Sequence, residues 1–471
     1  MLSKKRPHHP KADGPDRHYH VPTYGARYFA EPVPKFELPE HAMPADAAYQ
    51  ICHDELNLDG NPALNLASFV TTWMEPEAER LIVESLNKNY VDQDEYPRTR
   101  AIQERCVNML ARLYHAPHDA EAVGTATVGS SEAIMLAGLA AKWRWRRRRA
   151  AAGKPSDRPN LVMASTVQVV WEKFARYFDV EPRYVPVTAD RATLAPEEAI
   201  RFVDEDTIAV VAILGSTYTG EYEPIAAIHD AVAEINDRNG WEVPIHVDAA
   251  SGGFVAPFLE PDLNWDFRLP LVKSINVSGH KYGLVYPGIG WVVWRDRADL
   301  PEDLIFHVDY LGGDEATFNL NFSKGASQVI AQYYNFLRLG REGYRRIMTN
   351  LRTTTDYLAE RLVATGRFAL LSDRRSLPLV AFRLAEPRPY TVFDISERLR
   401  AHGWIVPAYH LPANAESVAL LRVVVRENFS RDMADMLLDD LTRVLGRFDA
   451  VASPAPAAPV PKASSKSHGV C

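Results

Sequence analysis

Long apolar runs are missing from this chain. No stretch of its 471 residues approaches about eighteen consecutive apolar positions, which argues against a helical membrane span. Cysteine is scarce as well: Cys52, Cys106 and Cys471 are odd in number, far apart and without metal-ligand spacing. That pattern fits a reducing, cytoplasmic setting better than a disulfide scaffold. An excess of positive charge is absent, since 53 basic and 61 acidic residues leave a formal charge of −8, ill suited to a nucleic-acid backbone. The start, Met1 to Pro10, is basic and rich in Pro and His, with no apolar segment behind it, so no secretory signal is expected. No internal repeat is visible. What is present, 46% hydrophobic and 24% charged residues, describes a packed globular protein of two or three folded units.

Residues 1 to about 45 read as a loosely held arm, and Ala450 to Cys471 as a flexible tail poor in core residues. Between them strand and helix alternate. Asn160–Ala164, Thr207–Leu214, Val243–Val247, Ser274–Val277 and Trp291–Trp294 are short apolar runs suited to buried strands. One helix between them has clear limits. Pro224 suits its first turn, Ile225, Ile228, Val232 and Ile235 form one apolar stripe, and Gly240 ends it. This alternation predicts an α/β architecture with a mostly parallel sheet. After Gly340 a long helix is expected through Tyr344, Leu351 and Leu358 to a stop near Gly366. Strands at Leu377–Leu384 and Val418–Val425 follow, with helices near Val392–His402 and Arg431–Leu445. These compose a smaller C-terminal α/β domain, with the long helix as a bridge. The expected boundaries are 1–63 for an N-terminal segment, 64–351 for a large domain, 352–449 for a small one and 450–471 for the tail.

The chemistry gathers at Ser278-Gly279-His280-Lys281, just after an expected strand. Open α/β sheets bind ligands at that edge, and a lysine there can lose its proton and form a Schiff base. A lone lysine in such a loop is far more often a surface residue. The strand Ile245-His246-Val247 runs into Asp248 and then small residues, Ala249 to Gly253, leaving room for a planar ring. By itself this Asp suits a turn or helix cap. Paired with the lysine, it would hold the protonated pyridine nitrogen of pyridoxal phosphate, which makes the ring an electron sink. Gly129-Ser130-Ser131-Glu132-Ala133 opens a helix whose N–H groups and hydroxyls would take a phosphate, although Ser at a helix start needs no ligand.

Together with Asn65-Leu-Ala-Ser-Phe69, Asn87-Lys-Asn-Tyr-Val-Asp92, Thr217-Tyr-Thr-Gly220 and His307-Val-Asp-Tyr-Leu-Gly-Gly313, these boxes resemble the group II pyridoxal-phosphate decarboxylases. More narrowly, they resemble the glutamate decarboxylase family of bacteria and plants, over residues 45 to 450. The resemblance implies a fold-type I enzyme using pyridoxal 5'-phosphate to convert L-glutamate to 4-aminobutanoate and carbon dioxide. It also implies a homodimer at minimum, with a hexamer left open, whose sites are shared between subunits. By the same resemblance Lys281 is the Schiff-base lysine and Asp248 the partner of the pyridine nitrogen. Ser130, Ser131, Ser278 and His280 contact the phosphate, and Ser323 reaches it from the neighbouring subunit. Gln168 stacks on the ring, and Thr217 and Ala250 make further cofactor contacts. Ser68, Phe69, Asn89 and Asp92 surround the distal carboxylate, Arg422 clamps the α-carboxylate, and Tyr310 and Leu311 serve reprotonation from a partner loop.

Departures from the family pattern occur at Ile213, Val170 and Glu172, where relatives carry threonine, cysteine and histidine. The arm around Lys4 to Pro10 cannot form the acidic amphipathic helix of acid-response members, so no membrane recruitment is expected. The tail lacks the tryptophan and basic helix of calmodulin-binding relatives, and His468 resembles a tail residue that closes the site at neutral pH. The basic stretch Lys142–Arg149 reads as a solvated helix end or subunit contact rather than an RNA site. Competing readings are decarboxylation of another amino acid, an aminotransferase or lyase on the same fold, and a non-catalytic binding protein.

Overall fold

The computed structural model describes residues 35–117, 122–309, 315–371 and 376–452. Two compact units are distinguished, residues 1–61 and residues 62–471. Helix α1 (Ala45–Leu56), which follows Pro44, is the regular element described in the first.

The second unit opens with α2 (Pro76–Glu84) and α3 (Pro97–Leu113), each with proline in its first turn, where a missing N–H costs no helical bond. Seven strands then make one sheet. In chain order they are β1 (Val123–Thr127), β2 (Asn160–Ala164), β3 (Glu181–Val185), β4 (Thr207–Ile213), β5 (Ile245–Asp248), β6 (Val272–Ser278) and β7 (Gly290–Trp294). Their spatial order is β1-β7-β6-β5-β4-β2-β3. The pairs from β6 to β3 are parallel, and β7 is antiparallel to both neighbours. Strands β2, β4, β5 and β7 are buried at every position, which explains the mainly apolar runs of β2, β4 and β7.

Helix α4 (Ser130–Ala151) follows β1, and α5 (Val169–Tyr177) follows β2. The first half of α4 is buried almost all round, and a methyl group at Gly138 would lie 2.4 Å from the Phe174 ring of α5. At its far end the cations are committed: Arg144 pairs with Asp299 at 2.9 Å, Arg147 with Asp303, and Arg149 with Glu205 and Asp206. Helix α6 (Ile225–Asn239) ends at Gly240 in the left-handed conformation (φ 66°), as the sequence predicts, while Pro224 sits one residue outside, at the cap.

The hairpin of β8 (Phe306–Val308) and β9 (Glu315–Thr317) leads into α7 (Ser327–Ala364). This helix starts earlier than its expected origin after Gly340. Gly340 instead breaks it internally, at φ 55° and ψ −170°, a conformation open to glycine and costly for other residues. A second sheet is formed by β10 (Phe368–Leu370), β11 (Leu379–Leu384), β12 (Ala408–His410) and β13 (Ala419–Val424), with α8 (Val392–Arg400) and α9 (Arg431–Ala452). It is antiparallel throughout, in the order β10-β11-β13-β12. Residues 1–34 of the expected N-terminal arm, Tyr310, Leu311 and His468 lie outside the described residues. Among the described residues no helix is long and apolar enough to cross a membrane.

Candidate active site

The parallel strands β4, β5 and β6 end side by side, and their loops carry Gly215–Gly220, Ala249–Gly253 and Gly279–Tyr282. Asp248 closes β5 and is buried. Its Oδ1 accepts from Asn276 Nδ2 at 3.0 Å and from the Ala250 amide at 3.1 Å, and its Oδ2 accepts from Trp171 Nε1 at 2.9 Å. A carboxylate offers about four acceptor positions. The protein therefore uses most of them and leaves one on Oδ2.

Lys281 lies beyond the end of β6. Its Nζ donates to Ser251 Oγ at 3.1 Å and stands 5.3 Å from the Phe69 ring centroid. Burial pulls its pKa from 10.5 to about 8; Asp248 opposes the fall and the Arg422 guanidinium adds to it. Lys281 thus lies within reach of both the Asp248 and the Arg422 charge.

Arg422 reaches the same space from β13 of the second sheet and is buried. It donates to the Thr217 carbonyl and, at 2.6 Å, to the Ala67 carbonyl. Its planar group lies 5.0 Å from the Phe69 ring and 5.6 Å from that of Tyr409. Its Nε is buried without a hydrogen-bond partner among the described residues. An unpaired buried donor costs about 1–3 kcal/mol, which a ligand acceptor would remove. The Ser68–Thr71 segment is stitched to the lysine loop: the Thr71 amide donates to His280 O at 2.8 Å, and its hydroxyl to Lys281 O at 2.7 Å.

The start of α4 supplies a third element. Ser130 Oγ is 2.7 Å from Ser278 Oγ, joining the helix start to the end of β6. Gly290 permits this approach, because a methyl group there would sit 2.3 Å from the Gly129 carbonyl carbon and 2.6 Å from the Ser130 nitrogen. The His280 ring lies 3.2 Å from the position a methyl group on Gly129 would take, and burial lowers its pKa to about 4. N–H groups at a helix start, two hydroxyls and a neutral imidazole suit a phosphate.

The other expected site residues make the following contacts. Gln168 is exposed, and its side-chain oxygen caps α5 by accepting from the Val170 amide at 2.7 Å. Ser68 Oγ accepts from the Val70 amide at 3.1 Å. Asn89 and Ser323 pair with each other, Asn89 Nδ2 donating to Ser323 Oγ at 3.4 Å. Asp92 Oδ1 accepts from the Glu95 amide at 3.1 Å. Of the departing residues, Glu172 is exposed, Val170 is buried, and Ile213 is buried opposite Asp248 in the β4–β5 ladder.

Sequence reasoning assigned no role to Ser251, Trp171, Asn276 or Tyr409, because their contacts span dozens of residues and follow no local motif. It also passed over Glu132, buried in α4. Its Oε1 accepts from the Leu320 amide at 3.0 Å and its Oε2 from the Val128 amide at 2.8 Å, tying the 319–321 segment to the helix start. Beside it Lys324 Nζ donates to the Ala126 carbonyl at 2.8 Å and sits 4.1 Å from the Tyr90 ring; burial lowers its pKa to about 8.

Residues 39–385 match the family described as pyridoxal-dependent decarboxylase conserved domain. The chain is 59% identical over 440 residues to glutamate decarboxylase 5 of Arabidopsis thaliana, covering 93% of this chain and 89% of that one. It is 48% identical to glutamate decarboxylase of Aliivibrio fischeri, covering 88% and 90%. The solved structure of Lactobacillus brevis glutamate decarboxylase superposes with a TM-score of 0.88 at 47% identity, over 91% of this chain and 98% of that one.

Proposed function

The chain belongs to the pyridoxal-dependent decarboxylases and, within them, to the glutamate decarboxylases; on that premise we propose that it removes the α-carboxylate of L-glutamate as carbon dioxide and yields 4-aminobutanoate. The observation that carries this reading is the Lys281 amine and the Arg422 guanidinium, with its unpaired Nε–H, over the one Phe69 ring, with the Asp248 carboxylate close enough for its charge to act on the amine.

Pyridoxal 5'-phosphate, when bound, supplies a protonated pyridine ring that takes up the electrons of the breaking bond. The protein's part is to hold and orient. Lys281, with its pKa drawn toward neutrality, has an amine able to act as a nucleophile near pH 7. Asp248 keeps one acceptor position on Oδ2 for the pyridine N–H. Ser130, Ser131, Ser278 and His280 would hold the phosphate, and Thr217 and Ala250 would line the ring. Arg422 would clamp the α-carboxylate through its fixed donor fork and so set which substrate bond stands across the ring.

Ser68, Phe69, Asn89 and Asp92 are proposed around the distal carboxylate. Ser323 and the loop bearing Tyr310 and Leu311 are proposed to serve a neighbouring subunit's site, which makes a homodimer the smallest working unit. Gln168 would stack on the ring through the face of its amide. The domain boundaries at 63/64 and 351/352, a cytosolic location and independence from calmodulin belong to the same reading.

Incubating purified protein with glutamate labelled in its α-carboxyl tests the proposal: labelled carbon dioxide and unlabelled 4-aminobutanoate are expected, whereas a keto acid with no gas would indicate transamination. Each turnover consumes a proton, so a role in acid tolerance is also proposed. Equal survival of a deletion strain and its parent at low pH with added glutamate would remove that role.

A further inference from the structure

Four side chains share one face of the two central parallel strands. In the β5–β6 ladder His246 stands opposite Ser274, and Asp248 opposite Asn276. Alternation along a strand puts His246 and Asp248 on the same face, and likewise Ser274 and Asn276. All four are buried. They form a continuous chain: Ser274 Oγ to His246 Nδ1 at 2.7 Å, His246 Nε2 to Asn276 Oδ1 at 2.7 Å, and Asn276 Nδ2 to Asp248 Oδ1 at 3.0 Å.

The chemistry of each group fixes the direction of the chain. A carboxylate only accepts, so Asn276 must present its NH2 to Asp248 and its oxygen to the imidazole. That oxygen also only accepts, so His246 must carry a proton on Nε2. Burial lowers the His246 pKa to about 4, so the ring is neutral at pH 7, and its Nδ1 lone pair accepts a hydrogen bond from the Ser274 hydroxyl. The other tautomer would aim a lone pair at the Asn276 oxygen. Relief would come from turning the amide, which takes a donor away from Asp248.

Building on the cofactor role of Asp248, we propose that His246 is a positioning residue, locked as its Nε2–H tautomer, that holds the Asn276 amide so that Asp248 keeps its donor and its aim at the ring nitrogen. The Trp171 ring packs edge-on against His246, 5.1 Å between centroids, while its N–H donates to the other Asp248 oxygen. The same imidazole thus steadies both side-chain donors of the carboxylate.

Proton–nitrogen correlation NMR of full-length protein with 15N-labelled histidine, with and without pyridoxal phosphate, reads the tautomer directly. The S274A variant identifies the His246 signal by its shift. A neutral Nε2–H pattern at pH 7 is expected in both states. An Nδ1–H pattern or a cationic ring overturns the proposal, even if the wild type takes up cofactor normally. Failure of the wild type to take up cofactor would instead strike the reading of Asp248 while leaving the tautomer measurable. The H246F variant, if folded, is expected to bind pyridoxal phosphate about ten-fold more weakly, with H246Q recovering part of the loss. Unchanged affinity in H246F would overturn the positioning role.

Discussion

In cofactor-free protein the Lys281 amine should lose its proton near pH 8 rather than near 10.5. A displacement of that size corresponds to about 3 kcal/mol by which the pocket disfavours the ammonium form. At pH 7 it leaves roughly a tenth of the molecules with a free amine, against well under a thousandth for an ordinary lysine. Desolvation is the main cause, with Arg422 adding to it and Asp248 opposing it, so two substitutions should move the midpoint in opposite directions. Arg422→Gln removes a like charge and should raise it; Asp248→Asn removes an opposite charge and should lower it. The folded protein binds fewer protons at Lys281 than the unfolded chain between pH 8 and 10.5, so this residue's contribution to stability grows as pH rises through that window. Following the lysine ε-carbon signal by NMR across pH in wild type and both variants checks the reasoning. A wild-type midpoint near 10.5, or shifts of the same sign in both variants, would refute it.

Truncating Arg422 to Ala should lower kcat/KM for glutamate by about 10- to 150-fold, the equivalent of a charged hydrogen bond worth about 1.5–3 kcal/mol; unchanged kinetics would move the carboxylate clamp elsewhere. Gly290→Ala places a methyl group 2.3 Å from backbone at Gly129, so cofactor affinity should fall sharply, measured by fluorescence titration. Glu223, buried where its oxygens accept from the Ile213 amide at 2.7 Å and the Leu194 amide at 3.0 Å, has its pKa raised from 4.5 to about 8 by burial. The folded state then holds the extra proton between those values, so stability should fall as pH rises from 4.5 to 8, and E223Q should flatten that slope in urea unfolding.

Local signals were readable wherever one residue type had one physical use. Strand β2 matches its expected run from Asn160 to Ala164, and the helix bounded by Pro224 and Gly240 is found between them. The pairing of Lys281 with Asp248 followed from two strand ends on one sheet edge. What stayed hidden depends on register between distant segments. The antiparallel placement of β1 against β7 leaves no trace in either strand's composition. Nor does Asn276 announce that it faces Asp248, since the two are joined only by the β5–β6 ladder. Gly340 looked like a helix start because glycine punctuates sequences, yet packing continues the helix on both sides of it. Gln168 carries an amide that serves equally as a ring-stacking surface and as a helix cap, and here it caps α5.

Which lysine takes the cofactor is the most direct test of the whole account, because among the described residues two partly buried lysines, Lys281 and Lys324, each have a pKa lowered to about 8. Reducing the cofactor-loaded protein with borohydride and mapping the modified peptide by mass spectrometry distinguishes them. The account predicts the pyridoxyl group on Lys281, opposite Asp248; finding it on Lys324, beside Glu132, would contradict it.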